Sequence, residues 1–364
     1  MTRQSRRILH LLEKMSRFYH EHAFSNQGRR TTTMDRKVTI YDIARQAGVS
    51  TATVSKVINR TGKISQKTQQ KIHQIIRETG YLPNKNASGL SKRQTNTIGL
   101  LIPDITNPFF AAMAKEMLAS ARDCGYDLTV CNTDYSKQKA INDIQSLLQK
   151  GIDGLVISST NLDEPALHSI IPSSKPLVFV SSNDVYGLNV NSVSVDDYSG
   201  SRIAIKYLAG LGHRHIALIL EEGNQSKERL RGYTDTLRKH DLDFSADYVI
   251  CAKSSISEGR KAFAKLSQLQ PPPSAIFGYN DVLAIGAILE AKSKGLRIPE
   301  DVAIIGFDNT IMSEIVSPEL TSIDQPLEDM CRRTMELIVS QISRPALQKQ
   351  HILFAPVLVK RQST

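Results

Sequence analysis

The sequence predicts an α/β protein: a small three-helix helix-turn-helix domain followed by a larger core of two doubly wound sub-domains. Three observations lead there. Residues 38–59 read as two short helices around a glycine turn, and from Thr97 onward short apolar strands alternate with amphipathic helices. The third is that the positive charge is confined to the N-terminal part of the chain.

In the hairpin, Ile40, Ile43, Ala44 and Ala47 recur at helical spacing, Gly48 supplies a left-handed residue to end the first helix, and Ser50 can cap the second. The second helix is expected to bury Val54, Val57 and Ile58. Its other face then carries Thr51, Ala52, Ser55, Lys56 and Asn59, small, polar or basic residues that suit a DNA major groove. A helical hairpin that binds nothing shows the same spacing, so charge has to decide. Residues 1–97 carry 19 Lys and Arg against 5 Asp and Glu, whereas residues 98–364 carry 27 against 31. The formal net charge of +10 therefore belongs to one module, the distribution that phosphate neutralisation requires. A third helix opens at Ser65 and runs through Ile72, Ile75 and Ile76 to Gly80.

At 364 residues the chain is long enough for two or three folding units. Its four cysteines, Cys124, Cys131, Cys251 and Cys331, form no C-x-x-C pair and have no His cluster beside them, which argues against zinc and against a disulfide framework. A reducing cytoplasm is the expected setting, with no metal and no cofactor. No run of about 18 apolar residues predicts a membrane span, and the apolar patch at 8–12 is too short for a signal peptide. G-x-G-x-x-G, G-x-S-x-G and H-E-x-x-H are absent, and Thr61-Gly62-Lys63-Ile64-Ser65 does not meet the requirements of a phosphate loop. His213 and His215, flanking Arg214, read as solvated surface. An enzyme is not expected.

In the core, strands are expected at 98–102, 127–131, 154–158, 176–181, 215–220, 247–251, 274–278 and 302–306, with helices at about 108–124, 137–150, 197–211, 226–239, 257–269, 280–294 and 326–343. Eight strands exceed one compact open sheet, and 190–196 reads as a crossover, so two sub-domains with a cleft follow. Ligands in such sheets sit beyond the carboxyl ends of strands.

The helix-turn-helix, the third helix ending in Gly80-Tyr81-Leu82-Pro83-Asn84, and the short segment with Ala87 and Leu90 together resemble the lac repressor family of bacterial transcription regulators. The resemblance runs roughly from 38 to 361. It implies a repressor of carbohydrate or sugar-acid utilisation genes that reads a near-palindromic operator in double-stranded DNA as a homodimer. DNA contacts would come from Thr39, Tyr41, Ser50, Thr51, Ala52, Thr53, Ser55, Lys56 and Asn59. Asn84, Ala87 and Leu90 would form a hinge helix that folds in the minor groove, where Leu90 wedges between base steps. The core would be periplasmic-binding-protein-like, crossing its cleft near 193–196, 324–327 and 353–356. The implied division is 34–83 for DNA binding, 84–97 for the hinge and linker, and 98–364 for the core. Within the core, sub-domain one takes 98–193 and 326–353, and sub-domain two takes 195–325 and 354–364. Residues 1–33 form a basic extension outside the match, read either as a start assigned upstream of Met34 or as a mobile arm adding affinity for DNA. The short tail after Val359 leaves no room for a tetramerising helix.

For the cleft, the resemblance implies an effector held by Asn107, Phe109, Phe110, Arg229, Asn280, Asp308 and Gln325. Two Phe at a helix start also serve core packing, and Asp281 can simply cap its helix. Ser181, Ser182 and Asp134 are further candidate contacts. The implied ligand is a sugar, sugar acid or sugar phosphate, with Arg229 able to take a carboxylate or phosphate. Control by a protein or phosphoprotein co-repressor, or a solute-binding receptor, are the alternatives.

Overall fold

The computed structural model describes residues 38–59, 61–81, 94–158, 162, 164–182, 189–221, 227–242 and 244–364. The expectations for residues 1–33 and for Asn84, Ala87 and Leu90 lie outside the described residues. The chain divides into two compact units, Met1–Lys85 and Asn86–Thr364.

In the first unit, α1 (Ile40–Ala47), α2 (Thr51–Ile58) and α3 (Gln66–Thr79) enclose Ile43, Val54 and Ile72, each fully buried. The Asp42 carboxylate accepts from the Thr39 backbone N–H at 3.0 Å and from its hydroxyl at 2.7 Å, which fixes the start of α1. Gly48, at φ +71°, ends it in the left-handed region that side chains avoid. Ser50 Oγ then accepts from the Thr53 N–H at 3.2 Å and opens α2 two residues later. Ile58, expected in the core, is half-buried and packs on its rim from the last turn of α2.

The second unit holds two six-stranded sheets. One contains β1 (Thr97–Ile102), β2 (Asp127–Asn132), β3 (Gly154–Ser158), β4 (Leu177–Val180), β5 (Asn191–Val195) and β11 (His351–Phe354), in the order β11-β5-β4-β3-β1-β2. The other contains β6 (Ile216–Glu221), β7 (Val249–Ala252), β8 (Ala275–Gly278), β9 (Ala303–Asp308), β10 (Thr321–Asp324) and β12 (Val357–Val359), in the order β12-β10-β9-β8-β6-β7. All neighbours run parallel except β10 and β12. Central strands such as Leu-Val-Phe-Val of β4 are buried throughout, as strands covered on both faces must be.

Helices α4 (Pro108–Asp123), α5 (Lys137–Gln149) and α6 (Glu164–Ile170) belong to the first sheet, and α12 (Leu327–Ser343) returns to pack on β3, β4 and β5. Around the second sheet lie α7 (Asp197–Gly210), α8 (Lys227–Lys239), α9 (Ile256–Leu266), α10 (Asp281–Ser293) and the short α11 (Met312–Ile315). The chain passes between the sheets after β5, after β10 and between β11 and β12.

Four strands were not expected. Residues 190–196, read as a crossover, contain β5, whose Ser-Val-Ser pattern lacks a continuous apolar run. Strand β10, Thr-Ser-Ile-Asp, lacks an apolar run, and β11 and β12 lie at the ends of their sheets with their residues partly exposed, so no continuous apolar stretch marks them. Brevity hid α6 and α11.

Helices α7 and α8 cross closely because residue 232 is glycine. A Cβ there would stand 2.5 Å from the Tyr198 carbonyl oxygen and 2.8 Å from Ser201 Cβ. Gly232→Ala should therefore force the helices apart and lower stability by about 1–3 kcal/mol, read as a shift in the urea midpoint of the core. An unchanged midpoint would show that this close approach is not made in solution.

Candidate functional site

The helix-turn-helix presents its expected face to solvent. Tyr41 is 74% exposed, an unusual position for so large an aromatic in a small domain. Thr39, Ser50, Ala52, Lys56 and Asn59 are exposed, while Thr51, Thr53 and Ser55 are half-buried. Four of these residues pair with one another: Thr53 Oγ1 lies 3.0 Å from Ser50 Oγ, and Asn59 Nδ2 donates to Ser55 Oγ at 3.2 Å. Lys56 and Tyr41 are thus the longest side chains extending from this face.

The second site lies between the two sheets, at the carboxyl ends of their strands. All seven residues expected there, Asn107, Phe109, Phe110, Arg229, Asn280, Asp308 and Gln325, line one void. From the first sheet, Asn107 caps α4 by accepting from the Phe109 N–H at 3.0 Å, so one face of its amide serves the helix and the other the void. Phe109 and Phe110 meet edge to face at 5.3 Å and also belong to the main hydrophobic core. They are core residues and wall at once.

Arg229, in the first turn of α8, is 4% exposed. Its Nε donates to Asp197 Oδ1 at 2.8 Å and its Nη1 to the Tyr279 carbonyl. The guanidinium carbon lies 4.1 Å from the Tyr279 ring centroid and 3.5 Å from that of Phe307. Asn280 caps α10 through the Leu283 N–H and donates to Ser254 Oγ at 2.6 Å. Asp308 Oδ1 accepts from Gln325 Nε2 at 2.7 Å. Burial holds the Asp308 carboxyl well above its usual range, although Arg229 pulls it down.

Asp281 has a different role from the cap considered for it. Fully buried, it accepts from the Thr310 N–H at 2.6 Å and hydroxyl at 2.9 Å, and from Ser322 Oγ at 2.5 Å. It holds together the loops that carry Asp308 and Gln325, and burial pushes its carboxyl up to about 6. Ser181 lines the void. Ser182 instead ties β4 to β5, its N–H and carbonyl both bonded to Ser194 Oγ. Asp134 binds Asn132 and Lys139. His213, read as solvated, is half-buried and bonded to Ser274 Oγ at 3.0 Å.

Three lining residues escaped the sequence: Asp197, Glu221 and Tyr279. Asp197 follows Asp196, which reads as a helix start; Tyr279 precedes the more obvious Asn280. Glu221 closes an apolar strand and carries no motif at all.

Comparison with known proteins places two segments. Residues 39–84 match the family model of bacterial regulatory proteins, lacI family, and residues 205–364 that of a periplasmic binding protein-like domain. The chain is 37% identical to the HTH-type transcriptional regulator DegA of Bacillus subtilis, over 90% of this chain and 98% of that one. It is 32% identical to the ribose operon repressor of Escherichia coli, over 89% and 99% of the two chains. The crystal structure of the lac repressor dimer bound to operator and the anti-inducer ONPF is similar at a TM-score of 0.81 and 25% identity, covering 90% of this chain and 99% of that one.

The sequence alone suggests that Arg229 and Asp308 could both be removed without harm to folding. The geometry separates them. Arg229→Ala leaves Asp197 buried without its cation and should cost about 3–5 kcal/mol. Asp308→Asn keeps a hydrogen-bonding side chain beside Gln325 and should spare stability while weakening ligand binding. Thermal melts of both variants check this, and equal melting temperatures would refute the structural role of Arg229.

Proposed function

This chain belongs to the lacI family of bacterial regulatory proteins, and from that premise we propose that it represses sugar-related genes under the control of a small molecule held between its two sheets. It is a DNA-binding transcription regulator; the finer reading concerns what it senses and how it assembles. One observation carries that reading. Asn107, Phe109 and Phe110 of one sheet face Arg229, Asn280, Asp308 and Gln325 of the other across the same void. Aromatic faces pack on the C–H faces of a sugar ring, while amides and a carboxylate suit vicinal hydroxyls. The similarity to a ribose operon repressor supports a sugar as effector.

The working unit is a dimer, because one helix-turn-helix covers only a half-site and a near-palindrome needs two related by a two-fold axis. No described helix is long and apolar enough to cross a membrane, and the reading places the protein in the cytoplasm with the DNA it binds. It acts by binding, with no catalytic step. An effector that binds more tightly when the operator is absent weakens operator binding by the same factor, since the coupling is reciprocal.

Two experiments test this. Selection of operators from a random pool should return a near-palindrome for the wild type. Lys56→Ala should relax the preference at one base pair per half-site, at a cost of about 1–3 kcal/mol. Equal weakening on every sequence would make Lys56 a phosphate contact and remove it from base reading. Sedimentation at micromolar concentration should give twice the chain mass; a monomer or a stable tetramer would overturn the proposed assembly.

A further inference from the structure

Tyr135 reaches from one wall of the void to the other. It stands in the loop between β2 and α5, on the first sheet's side, and its hydroxyl lies 3.4 Å from Oε1 of Glu221, the last residue of β6 in the second sheet. A phenol donates to a carboxyl oxygen whether that carboxyl is ionised or protonated, so the contact needs no bare charge. Both residues have other interactions as well. Burial raises the Tyr135 phenol, with Glu221 and Asp104 adding to the rise, and it stays a donor.

The loop is built to hold that direction. Asp134 and Tyr135 have φ of +50° and +55°, two successive non-glycine residues in the left-handed region that side chains avoid. Around them the Asp134 carboxylate accepts from Asn132 Nδ2 and Lys139 Nζ, and Asn132 Oδ1 in turn accepts from the Ile105 N–H at 2.7 Å. The Ser136 N–H donates to the Thr133 carbonyl at 2.8 Å and closes the turn. An unfavourable backbone persists only where its surroundings over-determine it, and here β2, α5 and the loop after β1 all do so. The result is one aromatic side chain aimed at the opposite wall.

The space beside this contact is small. Between the walls the free volume is about 30 Å³, against roughly 300–1,000 Å³ in sites that enclose small molecules. A sugar is therefore admitted only at a wider spacing, at which it touches both walls. The Tyr135–Glu221 separation already exceeds the roughly 2.7–2.8 Å that O–H···O bonds prefer, so a small parting breaks it. We propose that Tyr135 is a positioning residue that latches the walls in their ligand-free spacing through Glu221, so that latch and effector exclude each other. This rests on the reading of the void as the effector site of a repressor. A repressor that its effector releases from DNA holds the operator in the ligand-free spacing, and the latch then favours operator binding.

The test is operator binding by the full-length protein with no ligand added, on the operator that the wild type selects from a random pool. Tyr135→Phe keeps the ring and loses the hydroxyl. It should weaken operator binding by about 3–10-fold, the direction in which an effector acts. Glu221→Ala should do the same, and the double variant should be no weaker than the weaker single one, because a single contact is lost in all three. Glu221→Leu supplies the second arm should the alanine variant fold poorly. A merely structural part for Tyr135 would lower the melting temperature and leave operator affinity where it was. Unchanged or tighter operator binding by Tyr135→Phe, or additive losses in the double variant, overturns the latch and leaves the effector reading standing. A wild type that selects no operator removes both.

Discussion

The buried pair of Arg229 and Asp197 fixes the second sheet's side of the pocket, because two ions taken out of water persist only where geometry compensates both. Each partner comes from a different segment. Asp197 is the first residue of α7, just after the chain leaves β5, and Arg229 lies in the first turn of α8. The guanidinium also bonds to the Tyr279 carbonyl at the end of β8 and lies against the rings of Tyr279 and Phe307. Four segments are thereby held in mutual register by one side chain. The close crossing of α7 and α8 at Gly232 is the packing condition for it, since any wider spacing would draw the carboxylate away from Nε.

A second constraint sets Asp308 in place. Its φ of +100°, and the +49° of Asn309, are left-handed backbone values that cost non-glycine residues about 1–3 kcal/mol each. The strain is maintained by hydrogen bonds on both sides of the turn. The Asn309 N–H donates to Ser322 Oγ and its Nδ2 to Asp324, while Asp281 gathers Thr310 and Ser322. The loop after β9 is thus anchored to β10 and to the head of α10, and the Asp308 carboxyl is held against Gln325 at the void. A carboxyl held with so little freedom presents one fixed geometry to the void.

Much of this was legible before any coordinates. The hairpin at 38–59 announces itself through spacing, a left-handed glycine and a capping serine, all local signals. The void-lining residues at the strand ends follow from the rule that open sheets bind beyond their carboxyl ends, combined with the resemblance. What escaped depends on contacts distant in sequence. Glu221 ends an apolar strand, and only the approach of Tyr135, 86 positions away, shows that it is enclosed rather than solvated. The structural task of Asp281 depends on Thr310 and Ser322, and nothing beside it in the sequence points to them. Arg229 was identified as a contact, but its partner Asp197, 32 residues earlier, was not, so its part in holding the fold was missed.

The same enclosure bears on how binding becomes regulation. Asn107, Phe109 and Phe110 stand on one wall and Arg229, Asp308 and Gln325 on the other, so a ligand that touches both has an affinity that depends on the separation of the sheets. A ligand satisfied by one wall alone binds open and closed forms equally and shifts nothing, however tightly it binds. Moving a two-state equilibrium from 1:99 to 99:1 needs roughly a 10⁴-fold difference in affinity between the forms. Hydroxyl contacts to a single wall are a poor source of such a difference. Contacts made to both walls at once are the source the geometry offers, since each such contact is lost when the walls part beyond the ligand's span.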